Sequence, residues 1–144
     1  MKYFSIEPEV AGGLGERTKM DRSIHPPVVK ELHCEFDGWL GDALLETFPV
    51  FITTEHAMAS LQAISATGVE FDSVEVTESG QFRELYPDRV LPSFVWIKPH
   101  GKAGGDDFGV SVKGRLVISE RVLDVLTACG ISNALVEPFG GEES

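Results

Sequence analysis

Apolar and polar residues alternate most cleanly over 28–36, where Leu32, Cys34 and Phe36 point one way and Glu31, His33 and Glu35 the other. Strand side chains alternate between faces, so the spacing predicts one half-buried strand with a polar outer face. Shorter runs predict further strands over 3–7, 49–53, 74–76, 92–97, 115–118 and 134–136. The 92–97 run is apolar on both faces, which predicts a central strand with cover on each side.

Two stretches change to helical spacing. Thr54 has the chemistry of an N-cap and Glu55 follows where the helix dipole favours an acid; Ala57, Met58, Leu61, Ile64 and Ser65 then recur at three and four residues, with Gly68 as the expected stop. Ser119 caps a second helix with Val122, Leu123, Leu126 and Cys129 inward and Gly130 at its end. A helical turn is expected over 81–85, ended by Pro87, and a short helical excursion over 39–48 after the Asp37-Gly38 turn. Residues 10–16 and 98–109 have loop composition, and His25-Pro26-Pro27 forces an extended entry into the strand at 28.

The two helical segments echo each other. Ile52, Thr54-Glu55, a helix, Gly68 and Val74-Glu75 run parallel to Ile118, Ser119-Glu120, a helix, Gly130 and Val136-Glu137. Two strand–helix–strand units predict an α/β or α+β fold, a mixed β-sheet with two main helices packed on it. Length places this in a single domain over 1–138, with 139–144 as an acidic flexible tail.

Charge changes the picture more than composition does. The 144 residues carry 23 acids against 12 Lys and Arg, a net −11. Nucleic acid and anionic membrane bind through basic charge, so neither is expected as a partner; a basic protein is. No run approaches a membrane span or a signal-peptide core, and two distant cysteines, Cys34 and Cys129, form no disulfide framework. A cytoplasmic protein is the expectation.

Catalytic signatures are missing. Residues 13–18 begin like a dinucleotide-binding glycine loop, but Thr18 stands where the third glycine belongs. His25, His33, His56 and His100 show no paired-ligand spacing, so no metal and no cofactor is expected. Asp107-Phe108-Gly109 matches a kinase triplet in a chain too short to be one, and Gly101-Lys102 lacks the rest of a phosphate loop. Glu31, His33 and Glu35 share one strand face and form the one candidate acid–base set. Trp96 reads as core. Trp39, between Gly38 and Gly41 and beside Glu35, Asp37 and Asp42, either closes one end of the sheet or serves as an aromatic anchor with an acidic rim.

Several segments, read together, resemble a bacterial family. They are residues 9–16, His25-Pro26-Pro27-Val28-Val29, Glu35-Phe36-Asp37-Gly38-Trp39-Leu40-Gly41-Asp42, Glu84-Leu85-Tyr86-Pro87 and 101–109, spread from about residue 3 to 138. The chain is similar to immunity proteins of polymorphic toxin systems, a group once classed as a domain of unknown function. That resemblance implies a small non-catalytic protein that binds and blocks a cognate toxin, delivered by contact-dependent or type VI secretion, with NAD-degrading effectors among the toxin classes. An acidic inhibitor suits a basic active-site cleft. Glu35, Asp37, Trp39, Asp42, Asp106 and Asp107 are the expected toxin-binding residues. The alternative reading is a small-ligand or regulatory module using the glycine-rich loop 98–109.

Overall fold

A computed structural model of the chain describes residues 2–25 and 27–140. Along them run β1 (Tyr3–Glu7), β2 (Gly12–Leu14), β3 (Lys19–Asp21), β4 (Val28–Glu31), β5 (His33–Phe36), β6 (Leu44–Thr47) and β7 (Val50–Thr54). Then come α1 (Glu55–Ala63), β8 (Val69–Asp72), β9 (Glu75–Glu78), α2 (Gly80–Leu85), β10 (Phe94–Pro99), β11 (Phe108–Val110), β12 (Leu116–Ser119), α3 (Glu120–Cys129) and β13 (Leu135–Pro138). The fold is mixed α+β with two main helices. Its strands form four hydrogen-bonded groups, ordered β11-β12-β1-β13, β6-β7-β10-β8, β2-β5-β9 and β3-β4.

Both expected helices form with their expected caps. Thr54 accepts from the Ala57 N–H and Ser119 from the Val122 N–H. One core gathers Leu61 of α1 and Leu126 of α3 with Phe51 and Ile97 of one four-stranded sheet and Ile6 and Ile118 of the other. A second core lies on the opposite face of β10, where Phe94 and Trp96 meet Cys34 and Phe36 of the three-stranded sheet. The strand over 92–97 is therefore central and covered on both sides, because its side chains feed two cores in alternation. The three-stranded sheet is the mixed one: β5 runs antiparallel to β2 and parallel to β9.

The sequence echo is a topological repeat. In each four-stranded sheet a hairpin leads into a capped helix, and the strand after the helix is separated from the strand before it by an antiparallel insert. The insert is β10 in one copy and β1 in the other, so the second copy takes its middle strand from the N-terminal side of the chain. Equivalent positions make equivalent bonds. Glu55 N–H reaches Ser93 O at 2.9 Å and Glu120 N–H reaches Lys2 O at 3.0 Å; Thr54 and Ser119 N–H donate to Ala43 and Asp107 O, both at 3.0 Å. The copies also brace each other reciprocally. Ala43 N–H bonds Gly130 O beyond α3, and Phe108 N–H bonds Thr67 O beyond α1.

The register corrects the echo as read from sequence. β10 pairs Ile97 with Phe71, and β1 pairs Ile6 with Val136, so the counterpart of Val136 is Phe71 and not Val74. Val74 precedes β9, which joins the three-stranded sheet beside β5. Gly68 is not the stop of α1; the helix ends at Ala63 with Ile64 as its C-cap, followed by Ser65 at φ 52° where the other copy has Gly130 at φ 105°. Gly68, at φ 76°, lies where a Cβ would collide with Phe108 O, and its own carbonyl accepts from His100 and Gly101.

Other expectations also give way. The run over 28–36 breaks at Leu32 into β4 and β5, and β3 with β4 forms a separate two-stranded arm. Residues 44–47 are strand rather than helix, because Leu44 and Leu45 point into different cores, a period of two. Part of the 10–16 loop is β2, whose Gly12 lies too close to the Glu35 carbonyl for any Cβ. His25 and Pro27 flank Pro26, which falls outside the described residues, as do 141–144 of the tail expected over 139–144; Glu137 and Pro138 belong to β13, and Phe139 N–H still bonds Tyr3 O at 2.9 Å.

Candidate functional site

The turn after β5 is held from several directions. Asp37 and Gly38 N–H both donate to Ala11 O, at 2.9 and 3.1 Å. Trp39 stands edge-on to Phe94, ring centroids 5.9 Å apart, and its indole N–H donates to Asp42 O at 2.9 Å. The Glu9 carboxylate accepts from Leu40 N–H at 2.7 Å and Asp42 N–H at 3.2 Å. The Arg89 guanidinium donates to Trp39 O and lies over the Tyr86 ring, 5.5 Å from its centroid. Apolar groups pinned this way are presented to solvent in one conformation.

Those groups are Val10, 68 % exposed, and Leu40, 67 % exposed, beside half-buried Trp39 and the rim of Tyr86. With Asp37 and Gly38 they line a shallow concavity of about 350 Å³. Exposed apolar side chains clustered around a tryptophan mark a protein-contact surface. Because the loop is already ordered, little conformational freedom is lost when a partner covers it.

Of the six expected contact residues, Glu35 and Asp37 are exposed and Trp39 is half-exposed. Asp42 is 1 % exposed, its carboxylate accepting from Asn133 N–H and Nδ2, both at 2.9 Å. Asp107 is 5 % exposed and joined to Thr67, Ser119 and Arg121. Burial removes both from any contact surface. They are braces between the two copies: each stands before a hairpin and ties it to the segment beyond the other copy's helix. Asp106 accepts from Lys102 N–H at 2.7 Å within its own loop. Val10, Leu40, Tyr86 and Arg89 were missed, although two of them carry a signal: Leu40 and Tyr86 are bulky apolar residues beside glycine or proline, outside any periodic run.

The candidate acid–base face does not assemble. His33 is buried, because the 15–18 turn folds over it: Gly15 has no Cβ to strike the imidazole, and Arg17 N–H donates to Nδ1 at 3.2 Å. Nε2 lies 2.7 Å from Thr77 Oγ1. With Nδ1 accepting a backbone donor, the proton belongs on Nε2, and neither nitrogen is open to a substrate. The glycine loop over 98–109 is filled by its own chain: Gly105 and Asp106 N–H both return to Lys102 O, and a Cβ on Gly101 would meet Phe108 O. No cluster of three or more His, Cys, Asp or Glu that could hold a metal occurs among the described residues. No helix among them is long and apolar enough to cross a membrane.

Cys34 is buried, and burial pushes its thiol up to about 11. Thiolate is the reactive form, so Cys34 is held unreactive. At pH 7.5 a maleimide is expected to label Cys129 in the native protein and Cys34 only after denaturant is added. Equal native labelling rates would show that the core around Cys34 opens readily.

Neither the models of known protein families nor the curated proteins include one that matches this chain.

Proposed function

We propose that this protein is an immunity protein, which binds a cognate secreted toxin in the producer's cytoplasm and covers its active site. The observation that carries the reading is the pinned apolar surface of Val10, Trp39, Leu40 and Tyr86 on a chain of net charge −11. A binding protein needs an ordered apolar centre to hold its partner and a long-range field to find it. Asp37 supplies acid beside the apolar centre, which suits a basic cleft built for phosphate-bearing substrates such as NAD.

The resemblance of the segments at 9–16, 35–42, 84–87 and 101–109 to immunity proteins points the same way. Asp42 and Asp107 account for part of that signature without touching a partner, since each is needed to close the fold. Family likeness and binding specificity then reside in different residues.

Titrating the purified protein into the toxin encoded beside its gene is expected to abolish toxin activity near one equivalent. Raising salt from 50 to 500 mM is expected to slow association by roughly tenfold while dissociation changes little. Undiminished turnover at excess inhibitor would sink the proposal, and a salt-independent on-rate would remove its electrostatic part.

A further inference from the structure

A second concavity lies where the β6–β7 turn of one copy meets the β11–β12 turn of the other. Its volume is about 280 Å³, and Pro27, Phe48, Pro49, Pro99 and Val110 are among the apolar residues of its wall, with Lys98 also lining it. Phe48 is 65 % exposed at the tip of its hairpin. Against this apolar wall stands half-buried Glu46, which faces Phe51 across the hairpin.

The charges around Glu46 are already paired with one another. Arg115 bonds Glu7 at 2.8 Å and Lys98 bonds Asp72 at 2.7 Å. Among the described residues no ion pair or side-chain hydrogen bond reaches the Glu46 carboxylate. Burial raises its pKa, repulsion from Glu7 adds to this, and Arg115 opposes. A carboxylate held partly out of water without a counter-ion gains most from a cation brought in by something else.

We propose that this groove receives an apolar segment of a partner protein carrying an arginine or lysine that pairs with Glu46. The apolar wall holds the segment, and the carboxylate fixes which way it lies. Arginine suits the site better than lysine, because its weakly hydrated planar fork meets a half-buried carboxylate on two donors. A second copy of this chain is the wrong occupant: it brings another net −11 and a second Glu46 to the same place. The groove does not depend on the immunity reading, since a partner of any role can present such a segment.

The test uses the whole protein labelled with ¹⁵N and two pooled hexapeptide libraries. In one, arginine is fixed at the third position among valine, leucine, isoleucine and phenylalanine; in the other, glutamate takes its place. The arginine pool is expected to shift the amide signals of Glu46, Phe48 and Val110 and to bind at least fivefold more tightly than the glutamate pool. Glu46→Gln is expected to erase that difference, and Phe48→Ser to weaken the arginine pool at unchanged melting temperature. Equal binding of both pools, shifts confined to other residues, or no shift at millimolar peptide would each overturn the proposal. So would self-association of the peptide-free protein that Phe48→Ser abolishes, since a second copy would then fill the groove.

Discussion

Replacing Asp107 with alanine is expected to lower the melting temperature by about 10 °C, on the basis of about 3 kcal/mol lost at roughly 3 °C per kcal/mol for a domain of this size. The carboxylate accepts from Ser119 Oγ at 2.6 Å, Thr67 N–H at 2.8 Å and Arg121 Nε and Nη2 at 2.9 and 2.5 Å. Those partners belong to the segment beyond α1, the cap of α3 and its first turn, so one side chain ties both copies of the repeat together. Alanine leaves the buried Ser119 hydroxyl and the Thr67 N–H without an acceptor, whereas the half-exposed Arg121 can return to water.

The same bonds set a pH dependence. The Arg121 guanidinium foremost, then Ser119 and the Thr67 N–H, hold the Asp107 carboxyl far below its usual value of 3.8, against the opposing effect of burial. A depressed native pKa means that the unfolded chain takes up the proton first as pH falls. The stabilisation is therefore complete above about pH 5 and drains away as pH drops through the ordinary carboxylate range toward the native value. Melting curves at pH 7, 5, 4 and 3 are expected to converge for wild type and Asp107→Ala. Curves that stay parallel would show that folding leaves the Asp107 pKa unshifted.

Much of the architecture was legible because local rules decide it. Ser119 and Thr54 cap helices wherever an apolar stripe follows, and the doubly apolar 92–97 run has nowhere to go but the middle of a sheet. Residues 44–47 misled because Leu44 and Leu45 serve two cores, a fact of tertiary packing that a run of adjacent leucines does not reveal. His33 misled for a similar reason: alternation put it on the polar face, and the face was then covered by a turn that Gly15 allows to approach. The repeat was visible in its caps but not in its register, because Gly68 matched Gly130 in sequence whereas Ser65 takes that place in the fold.

Asp42 and Asp107 show the limit at the site. Acids in glycine-rich turns look alike whether they meet water or an N–H from a distant loop, and only the fold tells them apart. Leu40 differs, since it is an apolar residue beside Gly41 outside any periodic run, and the tethering of its turn by Glu9, Asp42 and Arg89 holds it out in solvent.

That contrast separates binding from folding in a single pair of variants. If the proposed immunity function holds, Leu40→Arg is expected to weaken binding of the toxin about 100-fold, roughly 2.7 kcal/mol, as truncation or reversal of a central contact does. The side chain is mostly in solvent in the free protein, so melting is expected to stay within about 1 °C of wild type. Asp42→Ala should do the reverse. It strands two donors of Asn133 and costs roughly 2 kcal/mol of stability, while the molecules that remain folded keep near-native affinity. Calorimetric titration of each variant at 15 °C, where both are folded, reads the two effects apart. If Leu40→Arg binds as tightly as wild type, the toxin does not rest on the Trp39 surface, and the apolar turn that the fold holds so firmly in place serves some other contact.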